Sequence, residues 1–165
     1  MAADLDVTVG GNTALSENQR AATYKIHKYV DVAAIIAADA GADLASATKI
    51  TAAENIAVID IPIYTWVQMA VCQIIEAATG TATIDIGDGD DVEGWDAAVD
   101  ITAAAGTVTY SNNDVDAFSL QIASGKVYGS AADQLDILFN NDTTNGKFLI
   151  TLVCVDLSCP QYDVN

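Results

Sequence analysis

The sequence predicts an all-β fold: a single antiparallel β-sandwich or jelly-roll-like barrel of about nine strands, with an extended N-terminal arm. Three observations carry this expectation. Short runs alternate apolar and polar residues, as in Phe118–Ile122 and Leu135–Phe139, which is the period of a half-buried strand. Turn residues recur between these runs. Long helical periodicity is absent, and only Pro62 and Pro160 interrupt the chain. The expected organisation is an arm over residues 1–22, a sandwich domain over 23–158 and a tail over 159–165, within a length of 165 residues that suits one core.

Taken in order, Leu5, Val7 and Val9 alternate with Asp6 and Thr8 and predict a short strand or extended arm, ended at Gly10–Asn12. Tyr24–Ile36 reads as one long strand with a continuous apolar end, and Ala37–Ala53 as a short helix or a loop, since Ala favours helix while Gly and Asp interrupt it. Ile56–Ile61 and Val67–Ile75 are two strands joined by a turn at Pro62–Thr65. Thr81–Gly87 continues the series, followed by a turn dense in glycine and carboxylate. Val99–Ile101, Thr107–Tyr110, Phe118–Ile122, Lys126–Tyr128 and Leu135–Phe139 are further strands. Asn145-Gly146 predicts a hairpin, because both residues tolerate positive φ. Phe148–Val155, apolar on both faces, is the central return strand.

Composition narrows the function. The net charge is −17, and residues 81–165 set fourteen acidic residues against Lys126 and Lys147. Such a chain repels phosphate backbones and anionic membranes, so neither nucleic acid nor membrane is an expected partner. The start MAADLDVTVGG has no signal-peptide character. Cys72, Cys154 and Cys159 form an odd set without zinc spacing; Cys72 and Cys154 lie in apolar runs and read as reduced, buried small hydrophobes.

The chemistry-bearing candidates are few. Asp88, Asp90, Asp91 and Glu93 offer hard oxygens suited to calcium, yet Asp88-Gly89-Asp90 does not continue the register of a calcium-loop motif. The competing reading is a solvated turn in a chain that is acidic throughout. His27, the single histidine, lies between Lys25 and Lys28 and lacks a nucleophile-elbow context, so it reads as an ordinary strand residue. No catalytic residue and no cofactor is expected, and the protein reads as a non-enzyme. Trp66 lies in an apolar run and suits a core or subunit interface; Trp95, after the acidic turn, suits core, interface or the stacking surface of a carbohydrate-binding module. Leu5, Val7 and Val9 are interface candidates because one short strand makes little core alone and can add to a neighbour.

The segments YVDVAAII (29–36), NIAVIDIPIYTWVQMAVCQII (55–75), TATIDIGDGDDVEGW (81–95) and GKFLITLVCVDLS (146–158), in this order and spacing, resemble small virion structural proteins of tailed bacteriophages, above all those of cyanobacterial and marine phages. The chain departs from that pattern at Tyr64-Thr65-Trp66, where a small Ala-containing turn is expected. The resemblance implies a capsid decoration (cement) protein, often a homotrimer. Such a protein sits on the major capsid protein at the outer surface of the virion and is made in the host bacterial cytoplasm. The alternative is a carbohydrate-binding β-sandwich of a tail fibre or spike.

Overall fold

Phe148–Val155 does become the central strand, and the architecture is built outward from it. The computed structural model describes residues 23–39, 43–111 and 125–158. Its elements are β1 (Thr23–Asp31), α1 (Val32–Asp39), β2 (Asn55–Ile61), β3 (Thr65–Glu76), β4 (Thr83–Asp88), β5 (Asp96–Asp100), β6 (Val108–Tyr110), β7 (Lys126–Tyr128), β8 (Asp133–Phe139) and β9 (Lys147–Asp156). One antiparallel sheet runs β1-β9-β3-β6, with β7 also on β3; the other runs β2-β8-β4-β5. The first strand thus lies beside the last and the second beside the last but one, with the chain rolling back and forth between sheets. That is the strand order of a jelly roll, in which two sheets face each other across one core. The expected strand at Phe118–Ile122, the arm with Leu5, Val7 and Val9, and Cys159 lie outside the described residues.

The core is filled by the inward positions of both sheets. Phe148, Ile150, Leu152 and Cys154 from β9 meet Ile84, Ile86, Leu135, Ile137 and Phe139 from the opposite sheet, all essentially without solvent contact. β9 alternates from Lys147 to Cys154, with Leu149, Thr151 and Val153 only half-buried on the outer face, and Val155 is buried beside Cys154. Each large aliphatic side chain enclosed in this way contributes about 1.5–3 kcal/mol of transfer free energy. Cys72 and Cys154 are buried free thiols. Burial, and for Cys72 also the charge of Asp96, pushes their pKa values up to about 12 and about 11, so they behave as small core hydrophobes.

Two local expectations give way. Tyr24–Ile36 is not one strand: β1 stops at Asp31 and the apolar end VAAII forms α1. The partner strand supplies the reason. Asp31 stands opposite Lys147, the first residue of β9, so no partner strand extends further. At that point the Asp31 carboxylate accepts the Ala34 N–H at 3.1 Å, an N-terminal cap, and the Ala-rich continuation follows its helical propensity. The Val32 N–H, donated to the Gly146 carbonyl at 3.1 Å, ties this corner to the start of β9. Asn145-Gly146, for its part, does not close a hairpin, because β8 and β9 belong to different sheets. Residues 140–146 cross the end of the sandwich instead. The Asn145 side chain accepts hydrogen bonds from the Thr79 N–H and hydroxyl. Gly146 adopts φ 120°, with a Cβ at that position 3.0 Å from the Ala78 side chain, so the site is closed to larger residues.

Among the described residues, no helix is long and apolar enough to cross a membrane. Asp31→Ala is expected to lower stability by about 1 kcal/mol through loss of the α1 cap; urea unfolding that leaves the midpoint unchanged would refute that role.

Candidate functional site

Among the described residues, the densest polar cluster lies where the acidic turn meets β7. Asp88 ends β4 and, by register, shares the core-facing side with Ile84 and Ile86. Its carboxylate has no solvent exposure, a costly placement unless every lone pair is engaged. Four donors engage it. Its Oδ1 accepts the Asp90 and Asp91 N–H groups at 3.1 and 3.2 Å, closing the turn. Its Oδ2 accepts Lys126 Nζ at 2.8 Å and Tyr128 Oη at 2.5 Å. The first pair of donors belongs to the turn itself, and the second comes from β7 on the other sheet.

The local backbone is shaped for this. The Asp88 N–H donates to the Asp91 carbonyl at 2.8 Å, and the Trp95 N–H to Ile86 O at 2.9 Å. A Cβ at Gly87 would stand 2.1 Å from the Asp91 carbonyl oxygen, so the turn folds back onto the strand only because residue 87 has no side chain. Trp95, wholly buried, fills the space behind the turn. Its Nε1 is buried without a hydrogen bond; it faces the Tyr128 hydroxyl closely enough to oppose a rise in the phenol pKa, though outside bonding geometry.

Lys126 also contacts Asp90 at 2.8 Å and stands 4.9 Å from the Tyr128 ring centroid. Desolvation acts to lower its pKa, and the bonds to Asp88 and Asp90 outweigh that, leaving it raised. Burial first, then Asp88, drives the Tyr128 phenol well above its ordinary range. The hydrogen bond and charge of Lys126 hold Asp90 below the usual carboxylate range.

Asp88 and Asp90 come together with Asp133, their carboxylate oxygens lying within 4.8 Å of one another. Asp91 and Glu93 do not join them: Asp91 accepts the Glu93 N–H at 3.3 Å, and Glu93 points outward. Asp133, at the start of β8, was invisible to a reading based on local spacing. The position where a cation would sit against Asp88 and Asp90 is taken by the Lys126 ammonium, so the cluster works as an internal ion pair joining two sheets. Beside it lies an open depression of about 410 Å³ lined by Gly89, Lys126, Gly129, Ser130 and Asp133 among others.

The tryptophans part company. Trp95 is enclosed in the chain's own core, which corrects the expectation that it serves an interface and removes it as a stacking surface. Trp66 is half-buried on β3 beside Gly125, where a Cβ would lie 2.6 Å from its Nε1.

The outer faces of the two sheets differ in chemistry. On the five-stranded sheet, Met69 stands beside Val153, Val71 beside Thr151 and Tyr110, and Gln73 beside Leu149 and Val108. The four-stranded sheet instead presents Asp60, Gln134 and Asp136, with Asn55 bonded to Asp136 and Gln134 to Asp60. Partial burial raises the Asp136 pKa.

The class these observations define is an all-β jelly roll with a polar cross-sheet tie and an outer face that is apolar over β3, β6 and part of β9, with Lys25 and His27 of β1 at its side. Its fold is similar to that of a chain in the cyanophage Pam1 capsid asymmetric unit, with TM-score 0.54 and 12% identity over 81% of this chain and 84% of that chain. A chain of the acidic stable capsid structure of Helicobacter pylori bacteriophage KHP30 aligns over 84% of this chain and 91% of that chain, with TM-score 0.48 and 11% identity. No protein-family model and no curated protein sequence matches the chain.

Two predictions follow from the cluster. Asp88→Ala leaves the Tyr128 hydroxyl buried without its acceptor and opens the turn, and is expected to cost about 3–5 kcal/mol in chemical denaturation; a loss below 1 kcal/mol would show that the tie is dispensable. The raised Lys126 and Tyr128 pKa values keep protons on the native state that the unfolded chain has released above about pH 10. Stability is therefore expected to be full below that range and to fall as pH rises through it. A melting temperature that fell as steeply in Tyr128→Phe as in the wild type would remove the phenol from this account.

Proposed function

We propose that this protein is a structural component of a phage virion. In this reading it is a head decoration protein that binds the major capsid protein at the outer surface as a homotrimer, and it is made in the host bacterial cytoplasm. The observation that carries the reading is the fold it shares, over four fifths of its length, with a chain of the cyanophage Pam1 capsid. The unlike outer faces support it. The apolar patch formed by Met69 and Val71 of β3 with exposed Val108 and Tyr110 of β6 suits a docking surface, whereas the acidic face of the other sheet suits solvent. A net charge of −17 also favours the outside of a DNA-filled shell. The role is structural, with stability and docking as its chemistry, and no catalytic group is invoked.

The test is cosedimentation of the purified chain with heads that lack it. Wild type is expected to sediment with the heads, and Val108→Asp/Tyr110→Asp to bind at least tenfold more weakly with an unchanged melting temperature. Wild type that stays in the supernatant at all concentrations would refute the reading.

A further inference from the structure

The edge of the core is open at one place. Tyr24, Ile26, Ile35, Leu44, Ile56 and Val58, all partly buried against the core, lie on β1, α1, β2 and the loop between them. β1 and β2 are end strands of their sheets and approach each other across the gap. Among the described residues, β1 pairs only with β9 and β2 only with β8. Among the described residues each therefore has one unpaired edge of backbone N–H and C=O groups, a template for a further strand.

Charge is divided across this seam. Lys49, Lys126 and Lys147 are all held in ion pairs within the chain. Lys25 and Lys28, both exposed on β1, make no ion pair among the described residues, and His27 lies between them. Lys28 occupies a core-facing register position, opposite buried Ile150, yet remains exposed. Beside β2 runs an open groove of about 330 Å³, with Ile35, Leu44 and Ile56 among its lining residues and Asp39, Asp43 and Glu54 on its rim. The Asp39 and Glu54 carboxylates are pinned by backbone N–H groups of the loop, which fixes their negative charge in place.

We infer that this seam is the contact between copies of the chain: β1 of one copy lies along the acidic groove beside β2 of the next. The lysines serve two purposes. They make β1 against β1 unfavourable, since like charges would stand opposite, and they favour an acidic edge. The contact also covers the apolar side chains at the opening of the core. It joins two unlike surfaces, a contact that closes into a ring when its rotation divides the full turn and otherwise runs on as a filament; a ring of three agrees with the homotrimer proposed above, on which this inference rests.

The test is the mass of the full chain in solution by sedimentation and native mass spectrometry, with circular dichroism to verify folding. Wild type is expected to be an oligomer, Lys25→Arg/Lys28→Arg to remain one, and Lys25→Glu/Lys28→Glu to fall to the 17.1 kDa monomer. Adding Asp43→Lys to the Glu pair is expected to restore self-association at least tenfold. Adding Glu93→Lys instead, at an exposed position in the turn after β4, makes the same change in net charge and is expected to restore none. Retention of the oligomer by the Glu pair, or equal rescue by both lysines, would overturn the seam. A monomeric wild type that still binds heads overturns this inference and leaves head decoration standing. An oligomer that dissolves in the Glu pair but never binds heads supports the seam and sinks head decoration.

Discussion

A carboxylate without solvent contact at the end of β4 sets the terms for much of this fold. Burying Asp88 there is costly unless donors converge on it, and they come from two directions: the turn that follows it and β7 on the facing sheet. The sandwich halves are elsewhere joined by non-directional apolar packing, which fixes distance but little else. Hydrogen bonds to Asp88 add direction. They require Gly87 so that the turn can fold back, Trp95 to fill the space behind it, and Lys126 and Tyr128 two residues apart so that both reach one oxygen.

The same economy of positive charge runs through the molecule. With six basic residues in a chain of net charge −17, each lysine position is informative. Lys126 closes the cross-sheet tie, Lys147 links the end of β1 to Glu76 of β3, and Lys49 anchors its loop to Asp142. Exposed pairs of this kind contribute at most about 1 kcal/mol each, so their weight lies in orientation more than in stability. The faces differ as well: the five-stranded sheet is apolar over β3 and β6 with Lys25 and His27 at β1, and the four-stranded sheet is acidic.

Much of the strand pattern was legible because alternation is a local property. Ile84 and Ile86, or Leu135, Ile137 and Phe139, declare their face by period two whatever their partners. The continuous apolar run of β9 likewise announced a central strand. The turn dense in glycine and carboxylate was legible in the sequence, and of the placements open to Trp95 after it the core is the one it takes. What was missed depended on partners. VAAII looked like more strand because its apolar run carries no period, and only the end of β9 at Lys147 releases it to helix. Asn145-Gly146 carried a true positive-φ signal, but that signal cannot say whether the next strand returns to the same sheet.

The sequence by itself determined the class of fold, most of the strand positions among the described residues and the absence of a recognisable calcium-loop spacing, because each follows from period and composition within a few residues. Only the tertiary structure decided which strands pair, that Asp133 rather than Asp91 or Glu93 joins Asp88, and that Lys126 occupies the place a cation would take. Those outcomes join residues some forty positions apart, and the desolvation of Asp88 that drives them exists only once two sheets have closed over it.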